Sequence, residues 1–434
     1  MSRRELIPLL AAIVFLLLSV LIFLPDYESP RVVKFLVVTQ VLFALSVVIY
    51  LTTRKLDLLQ SSRKLFFLLV LGALVARVIM LVGAGDKFYM SDDVYRYIWD
   101  GKVAAHGISP FLHSPRADEL AHLKDTVIHP KINHPWNPTI YPPFSQQVFY
   151  IAYKIGGDTT LAFKLLCAVF ELLTALGLYL WLRRSGRSPG TILLYLYSPL
   201  VLGEFYLSAH SDILAIPFLV ATLLATMDRR AVIAGVLLGI ATTVKFYGLL
   251  FAPFFLLELQ AGKRYRFALA YVLTLALMYA PYLPGAGTEV FGSLVLYVQT
   301  WQYNSSVFGL LKQVLGFQTA KYVVGGAFAA WVVYILSQKA ELSQKLFRTM
   351  AGYVVLTTTL FPWYYIWVLP FALVRMSVPF LLLSGTLLLS YHVHIDYYST
   401  GEYSRMPWLA VSQYVPFYVL LIWSWWRQKQ ERLA

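Results

Sequence analysis

Apolar runs long enough to cross a bilayer recur from one end of the chain to the other. A spanning helix needs roughly 20 such residues, and the stretches near 6–24, 32–51, 65–84, 161–182, 267–284, 319–336 and 408–426 supply them. Shorter or broken runs lie near 190–206, 212–227, 231–259, 349–374 and 377–392. None alternates apolar and polar positions as the strands of a membrane barrel do. The pattern predicts an all-α, polytopic membrane protein, with roughly 12 to 14 transmembrane helices or half-helices. A single membrane-embedded domain then covers 1–434. The first run follows Arg3 and Arg4 and lacks a small-residue exit, so it is expected to stay as a membrane helix.

Basic residues fix the expected orientation. Arg3/Arg4, Arg54/Lys55/Arg63/Lys64, Arg183/Arg184/Arg187, Arg229/Arg230, Lys263/Arg264/Arg266, Lys339/Lys345/Arg348 and Arg427/Lys429/Arg432 all sit in short connectors. Such clusters mark cytoplasmic helix ends. The threading is consistent if 231–259 and 349–374 are each a bent hairpin of half-helices. Both termini are then cytoplasmic, in a multi-pass protein of the cell (inner) membrane. The pieces left outside are 25–31, a long loop at 85–160, 207–211, 285–318, the turn at Pro362-Trp363, and 393–407.

The 85–160 loop carries Trp99, Phe111, Trp136, Tyr141 and Phe144, so it reads as an ordered element. Val94 to His106 places Tyr97, Gly101 and Ala104 at helical spacing. Pro142-Pro143 keeps Tyr141 out of a helix.

Composition sharpens this picture. The chain is 59% hydrophobic and 13% charged, with mean hydropathy +0.65, against about 25% charged residues in soluble domains. A net charge of +14 raises nucleic acid as a partner. The positive residues instead flank apolar runs, which points to membrane lipid and no nucleic acid. The single cysteine, Cys167, lies inside an apolar run and reads as a small core residue.

Candidate chemistry gathers on the outer side. Asp92 and Asp93 open an amphipathic stretch, with Arg96 and Asp100 following. They read as metal ligands, as a general base with an orienting partner, or as a surface pair bridged to Arg96, one of them capping the next helix. His210-Ser211-Asp212 is either a cap for the following helix or a second polar contact to a sugar or metal. Lys245 lies deep in an apolar segment, where it either snorkels or faces a cavity and pairs with a phosphate. Trp301, Tyr303 and Asn304 form an aromatic, amide-bearing loop that suits an interfacial belt or sugar stacking. Pro362-Trp363-Tyr364-Tyr365 reads as a helix break, and Arg375 as a cytoplasmic anchor. His392, His394, Asp396, Glu402 and Arg405 form a further polar cluster, read as a mobile loop ahead of a metal site. No phosphate-binding loop, dinucleotide fingerprint, His-Glu-x-x-His or nucleophile elbow is present. A soluble nucleotide-sugar site is therefore unsupported.

Taken together, Ser91-Asp92-Asp93-Val94-Tyr95-Arg96-Tyr97-Ile98-Trp99-Asp100-Gly101, Gly107-Ile108-Ser109-Pro110-Phe111 and Thr139-Ile140-Tyr141-Pro142-Pro143 resemble the bacterial multi-spanning GT-C glycosyltransferases. They are similar also to the mannosyltransferase that adds the first mannose of GPI anchors. His210-Ser211-Asp212, Val244-Lys245-Phe246, Trp301-Gln302-Tyr303-Asn304-Ser305-Ser306 and Pro362-Trp363-Tyr364-Tyr365 match the bacterial group as well. The resemblance implies a transferase that takes mannose, or another hexose or pentose, from a polyprenyl-phosphate sugar donor on the extracytoplasmic face. The acceptor is a glycan, lipid or protein. It makes Asp92 the base or a metal ligand, with Asp93 beside it as a second metal or substrate contact. Beside this, Arg96, Tyr141, His210, Asp212, Lys245, Trp301, Tyr303 and Asn304 are read as contacts to substrate. The GPI enzyme's separated Asp-x-Asp is an adjacent pair here, which leaves a divalent cation (Mg or Mn) open. The rival reading is a polyprenyl-linked sugar flippase or transporter, whose ionisable groups belong near the midplane.

Overall fold

The computed structural model describes residues 3–23, 28–58, 61–85, 90–401 and 406–433. It is 78% helical, and among the described residues the only strand-like pairing is an isolated bridge between Tyr303 and Thr359. The chain is an all-α polytopic membrane protein. Helices α1 (Arg3–Leu21), α2 (Glu28–Thr53), α3 (Arg63–Ala84) and α6 (Leu161–Arg184) are each long and apolar enough to cross a bilayer, as is Phe317–Ser337. Two bent pairs, Pro189–Leu196 with Pro199–Leu207 and Ala261–Tyr279 with Leu283–Thr300, bring the candidate spans to seven. Four shorter apolar helices complete the bundle: Ser211–Met227, Ala231–Thr242, Tyr247–Glu258 and Val378–His394. The run expected at 408–426 lies within the helix Pro407–Leu433.

Between α3 and α6 lie two helices that touch the bundle from one end, α4 (Asp93–Ala105) and α5 (Pro143–Gly156). The sequence pattern shows α4 within one residue of its ends; α5, inside the long loop, was not expected. Residues Val94 to Val103 of α4 are all buried. Gly101 explains how closely α5 can approach. A Cβ there would sit 2.2 Å from the Phe149 carbonyl oxygen, so only glycine fits.

Both expected hairpins of half-helices are present. Ala231–Thr242 and Tyr247–Glu258 are separated by residues 243–246. Each has 12 residues and is about 18 Å long at 1.5 Å per residue, short of a hydrocarbon core of about 30 Å. A hairpin of helices this short would turn part-way through such a core. A broken helix exposes carbonyls that need donors, and α5 supplies them: the Phe144 N–H donates to the Thr243 carbonyl (2.9 Å) and the Ser145 hydroxyl to the Val244 carbonyl (3.1 Å). The second hairpin breaks at 357–361, between Leu342–Leu356 and the segment beginning at Pro362. Tyr303 bridges this break, donating its N–H to the Thr358 carbonyl and accepting from the Leu360 N–H.

Four of the basic connectors, around 184, 229, 263 and 341, meet at one place. Arg184 pairs with Asp228, the Lys263 ammonium donates to the Arg229 carbonyl, and Arg375 pairs with Glu341. A cavity of about 340 Å³ lined by Trp181, Arg229, Glu258, Lys263 and Glu341 opens there. Deep between α3 and α6, Arg77 and Glu171 form a two-bond ion pair (2.9 and 2.7 Å). The Tyr206 hydroxyl donates to the same carboxylate at 2.7 Å, and Arg77 also reaches the Ala73 and Leu196 carbonyls. Such a pair is tolerable in hydrocarbon because every polar atom finds a partner.

Candidate active site

Two adjacent acids begin α4. Asp92 is the residue before the helix, yet it makes no side-chain capping bond. Both acids are half-buried, and Asn133 bridges them from the long loop. Its side-chain amide donates to Asp92 Oδ1 at 2.8 Å and to Asp93 Oδ1 at 2.6 Å. Asp93 Oδ2 accepts a long bond from the Tyr97 hydroxyl at 3.5 Å. The side-chain bond to Asp92 from another described residue falls on Oδ1. Burial raises the Asp92 carboxyl above the ordinary carboxylate value, and the Asn133 bond works against it. Burial and the neighbouring Asp92 charge raise Asp93, while His210, Asn133 and Lys245 pull it back. Each acid thus carries part of what a base needs: a held orientation and a raised proton affinity.

Asp100, one turn pair further along α4, has a different job. Its Oδ1 accepts from Arg96 Nε at 2.7 Å, and its Oδ2 accepts from the Thr139 hydroxyl (2.6 Å) and the Gln146 amide (3.2 Å). Arg96 also donates to the Asn137 carbonyl. This buried knot fastens the 137–146 segment to α4 and so places Asn133 and Tyr141. Arg96 is occupied by it.

Around the acids stand groups from distant parts of the chain. Tyr141 packs edge-on against Tyr97 (5.0 Å between centroids). His210 is fully buried, with its ring flat against Trp363 at 3.7 Å and 12°. Trp363 stacks on Phe361, and Phe361 on Tyr303, which makes a four-ring column. Asp212 accepts from the Lys245 ammonium at 2.6 Å and from Trp367 Nε1 at 2.9 Å. Asp212 thus anchors Lys245 and does not cap a helix. Lys245 lies 4.0 Å from the Tyr364 ring centroid and keeps 21% of its side chain exposed. Trp301 faces His134 at 4.8 Å, on the side of the site bounded by Tyr297.

The structure therefore brings Asp92, Asp93, Tyr141, His210, Asp212 and Lys245 into one neighbourhood, with Trp301 at its edge. It sets Tyr303 at the far end of the ring column that starts at His210, with Asn304 next to it in the chain. The Tyr303 hydroxyl donates to the Ser390 carbonyl, and Asn304 is pinned between Leu360, Gln413 and Tyr414. His392 Nδ1 lies 2.9 Å from the Leu389 carbonyl and His394 packs against Tyr391, while Glu402 and Arg405 fall outside the described residues. Sequence reasoning missed Asn133, His134, Glu204 and Trp367. Asn133 and His134 sit in an otherwise unremarked Ile132-Asn133-His134-Pro135 stretch, where a polar pair just before a proline was the available signal.

A divalent cation can be tested against this geometry. The two converging Oδ1 atoms meet an amide, which is a donor. Among the described residues no group of three or more His, Cys, Asp or Glu side chains converges. The described residues therefore do not assemble a three-ligand protein set at the acids.

Residues 89–261 match a family model described as alpha-(1->6)-mannopyranosyltransferase, N-terminal domain, of the MptA_B family. No curated protein and no solved structure matches the chain. The matched stretch holds the acids, Asn133, Tyr141, His210, Asp212 and Lys245, and stops short of Trp301 and Trp363. It is similar to a mannosyltransferase domain, and with the apolar helices it supports a glycosyltransferase embedded in a membrane.

Proposed function

We propose that the protein transfers mannose from a polyprenyl-phosphate carrier to an acceptor hydroxyl on the extracytoplasmic face, with inversion. One observation carries this reading. Within the mannosyltransferase-like stretch, two half-buried acids bridged by Asn133 lie close enough to His210 and to the Lys245 ammonium held by Asp212 for both to act on the Asp93 carboxyl.

The chemistry follows from the placement. The acceptor hydroxyl loses its proton to the Asp92 carboxylate as its oxygen attacks the anomeric carbon. The bond from that carbon to the phosphate oxygen breaks, and the electron pair leaves with the lipid phosphate. Such a leaving group needs charge stabilisation more than a proton. Lys245 has donors beyond the one given to Asp212, and its place at a hairpin turn part-way through the core suits a phosphate whose chain lies among helices. Trp301 and His134 offer ring faces for a sugar beside the acids. The basic connectors support cytoplasmic termini and an outward-facing site. The kinship with the GPI first-mannose enzyme belongs to this same proposal.

The test is incubation of purified protein with a panel of polyprenyl-phosphate sugars and release of the lipid phosphate as readout. Release from the mannose donor is expected. Silence across the panel from a folded sample would refute the reading and favour a flippase.

A further inference from the structure

We propose that Glu204, His210 and Ser91 form a positioning chain that fixes the start of α4, and with it the two acids, from inside the bundle. This rests on the transferase reading of those acids. Glu204 is fully buried in the wound segment Gly203–Leu207. Its Oε2 accepts from the Tyr391 hydroxyl at 3.0 Å and lies 2.8 Å from His210 Nδ1. Neither Glu204 Oε1 nor His210 Nδ1 makes an aligned hydrogen bond, so the two side chains meet as a close packing contact. The backbone closes the pair, because the His210 N–H donates to the Glu204 carbonyl at 2.9 Å. On the far side of the ring, Nε2 lies 3.0 Å from the Ser91 hydroxyl. Ser91 Oγ in turn accepts a long bond from the Asp93 N–H at 3.4 Å.

The donors and acceptors fit one direction. The Glu204 contact at Nδ1 and the backbone bond from the His210 N–H hold the ring so that Nε2 meets Ser91. Nε2 then accepts from the Ser91 hydroxyl, and the Ser91 lone pairs face the first N–H of α4. Asp92 makes no cap, so Ser91 is the described side chain that meets the first turn of this helix. The reading also accounts for His210 better than a sugar contact does. One ring face is covered by Trp363, Nδ1 faces Glu204 and Nε2 faces Ser91, which leaves nothing for substrate.

The experiment is a double-mutant cycle on Ser91→Ala and Glu204→Gln, assayed by release of polyprenyl phosphate from polyprenyl-phosphate mannose. Glu204→Gln keeps the size and an acceptor oxygen for Tyr391 but changes the group that meets His210 Nδ1. Each single variant is expected to lose about 10-fold in kcat, with KM for the donor little changed, because the acids are misplaced while the donor site is intact. The double variant should lose about the same 10-fold, since both changes cut one chain. Losses that multiply to about 100-fold, wild-type kcat in Ser91→Ala, or a raised KM would overturn the proposal. If Glu204→Gln does not fold, His210→Phe takes its place with the same expectation, since it keeps a ring against Trp363 and removes the nitrogen that meets Ser91. A silent wild type refutes the transferase reading and this chain with it; an active wild type with independent variants refutes the chain alone.

Discussion

Three acids share the motif that opens α4, and the structure gives one of them a role unlike the others. Asp100→Asn isolates it. The carboxylate is buried, as is its partner Arg96, with side chains 2% and 6% exposed. Asn at this position cannot carry the charge that balances the guanidinium. Removing one member of a buried pair costs about 3–5 kcal/mol, because the other is left unpaired. At about 2.1 cal/mol/K of unfolding entropy per residue, the 434 residues translate this into a fall in Tm of about 3–5 °C. The assay is thermal unfolding in detergent, followed by transfer rate per folded molecule. The stability loss should appear in full, while the folded fraction keeps far more activity than Asp92→Asn. Adding Arg96→Met to Asp100→Asn should restore part of the lost stability, since deleting both partners removes the stranded charge. Wild-type Tm in Asp100→Asn, or a double variant no better than the single, would refute the buried-knot argument.

Other outcomes follow from the same geometry. Glu171→Gln strands Arg77 between α3 and α6 and should cost about 3–5 kcal/mol, read as the same kind of Tm loss with no change in KM. Gly101→Val forces α4 and α5 apart at a 2.2 Å contact and should destabilise by about 1–3 kcal/mol or more, detectable by thermal unfolding. In the pH profile of kcat/KM, the base works deprotonated, so the rate falls as pH drops through its pKa. Burial raises both acids, which puts this acidic limb above the ordinary carboxylate range. Asn133→Ala removes a bond that favours the anions and should move the limb further up. The stability sign is the same: acids with raised values favour the fold at low pH, and that contribution is lost as pH rises through the folded value.

The fold was legible wherever hydrophobic length decided it. Long apolar runs gave α1, α2, α3, α6 and Phe317–Ser337, and the two interrupted runs gave the hairpins that turn at Lys245 and Pro362. Helix α5 was hidden because its sequence, beginning Pro143-Phe144-Ser145-Gln146, lies in a polar interval, and its N-terminus is needed only once the 243–246 break exists. The site divided along a similar line. Asp92, Asp93, Asp212 and Lys245 stood out because charge in a membrane protein is expensive without a use. Asn133 and Trp367 carry no charge, and what they do depends on contacts across 40 and 155 positions of chain, which no local pattern records. Tyr303 and Asn304 read as sugar contacts because loops rich in aromatics and amides suit both sugars and tight turns. The positive φ of Asn304 (45°) belongs to the second use.

The central claim is that Asp92 takes the proton of the acceptor hydroxyl in transfer from a lipid phosphate. The most direct measurement compares wild type and Asp92→Asn for release of polyprenyl phosphate from polyprenyl-phosphate mannose, at matched folded protein. Asn keeps the shape and the neighbourhood of Asn133 but cannot accept the proton as a carboxylate does. A loss of about 10²–10⁴-fold in kcat, with the Tm of the wild type, is the expected result. Transfer near the wild-type rate would contradict the account.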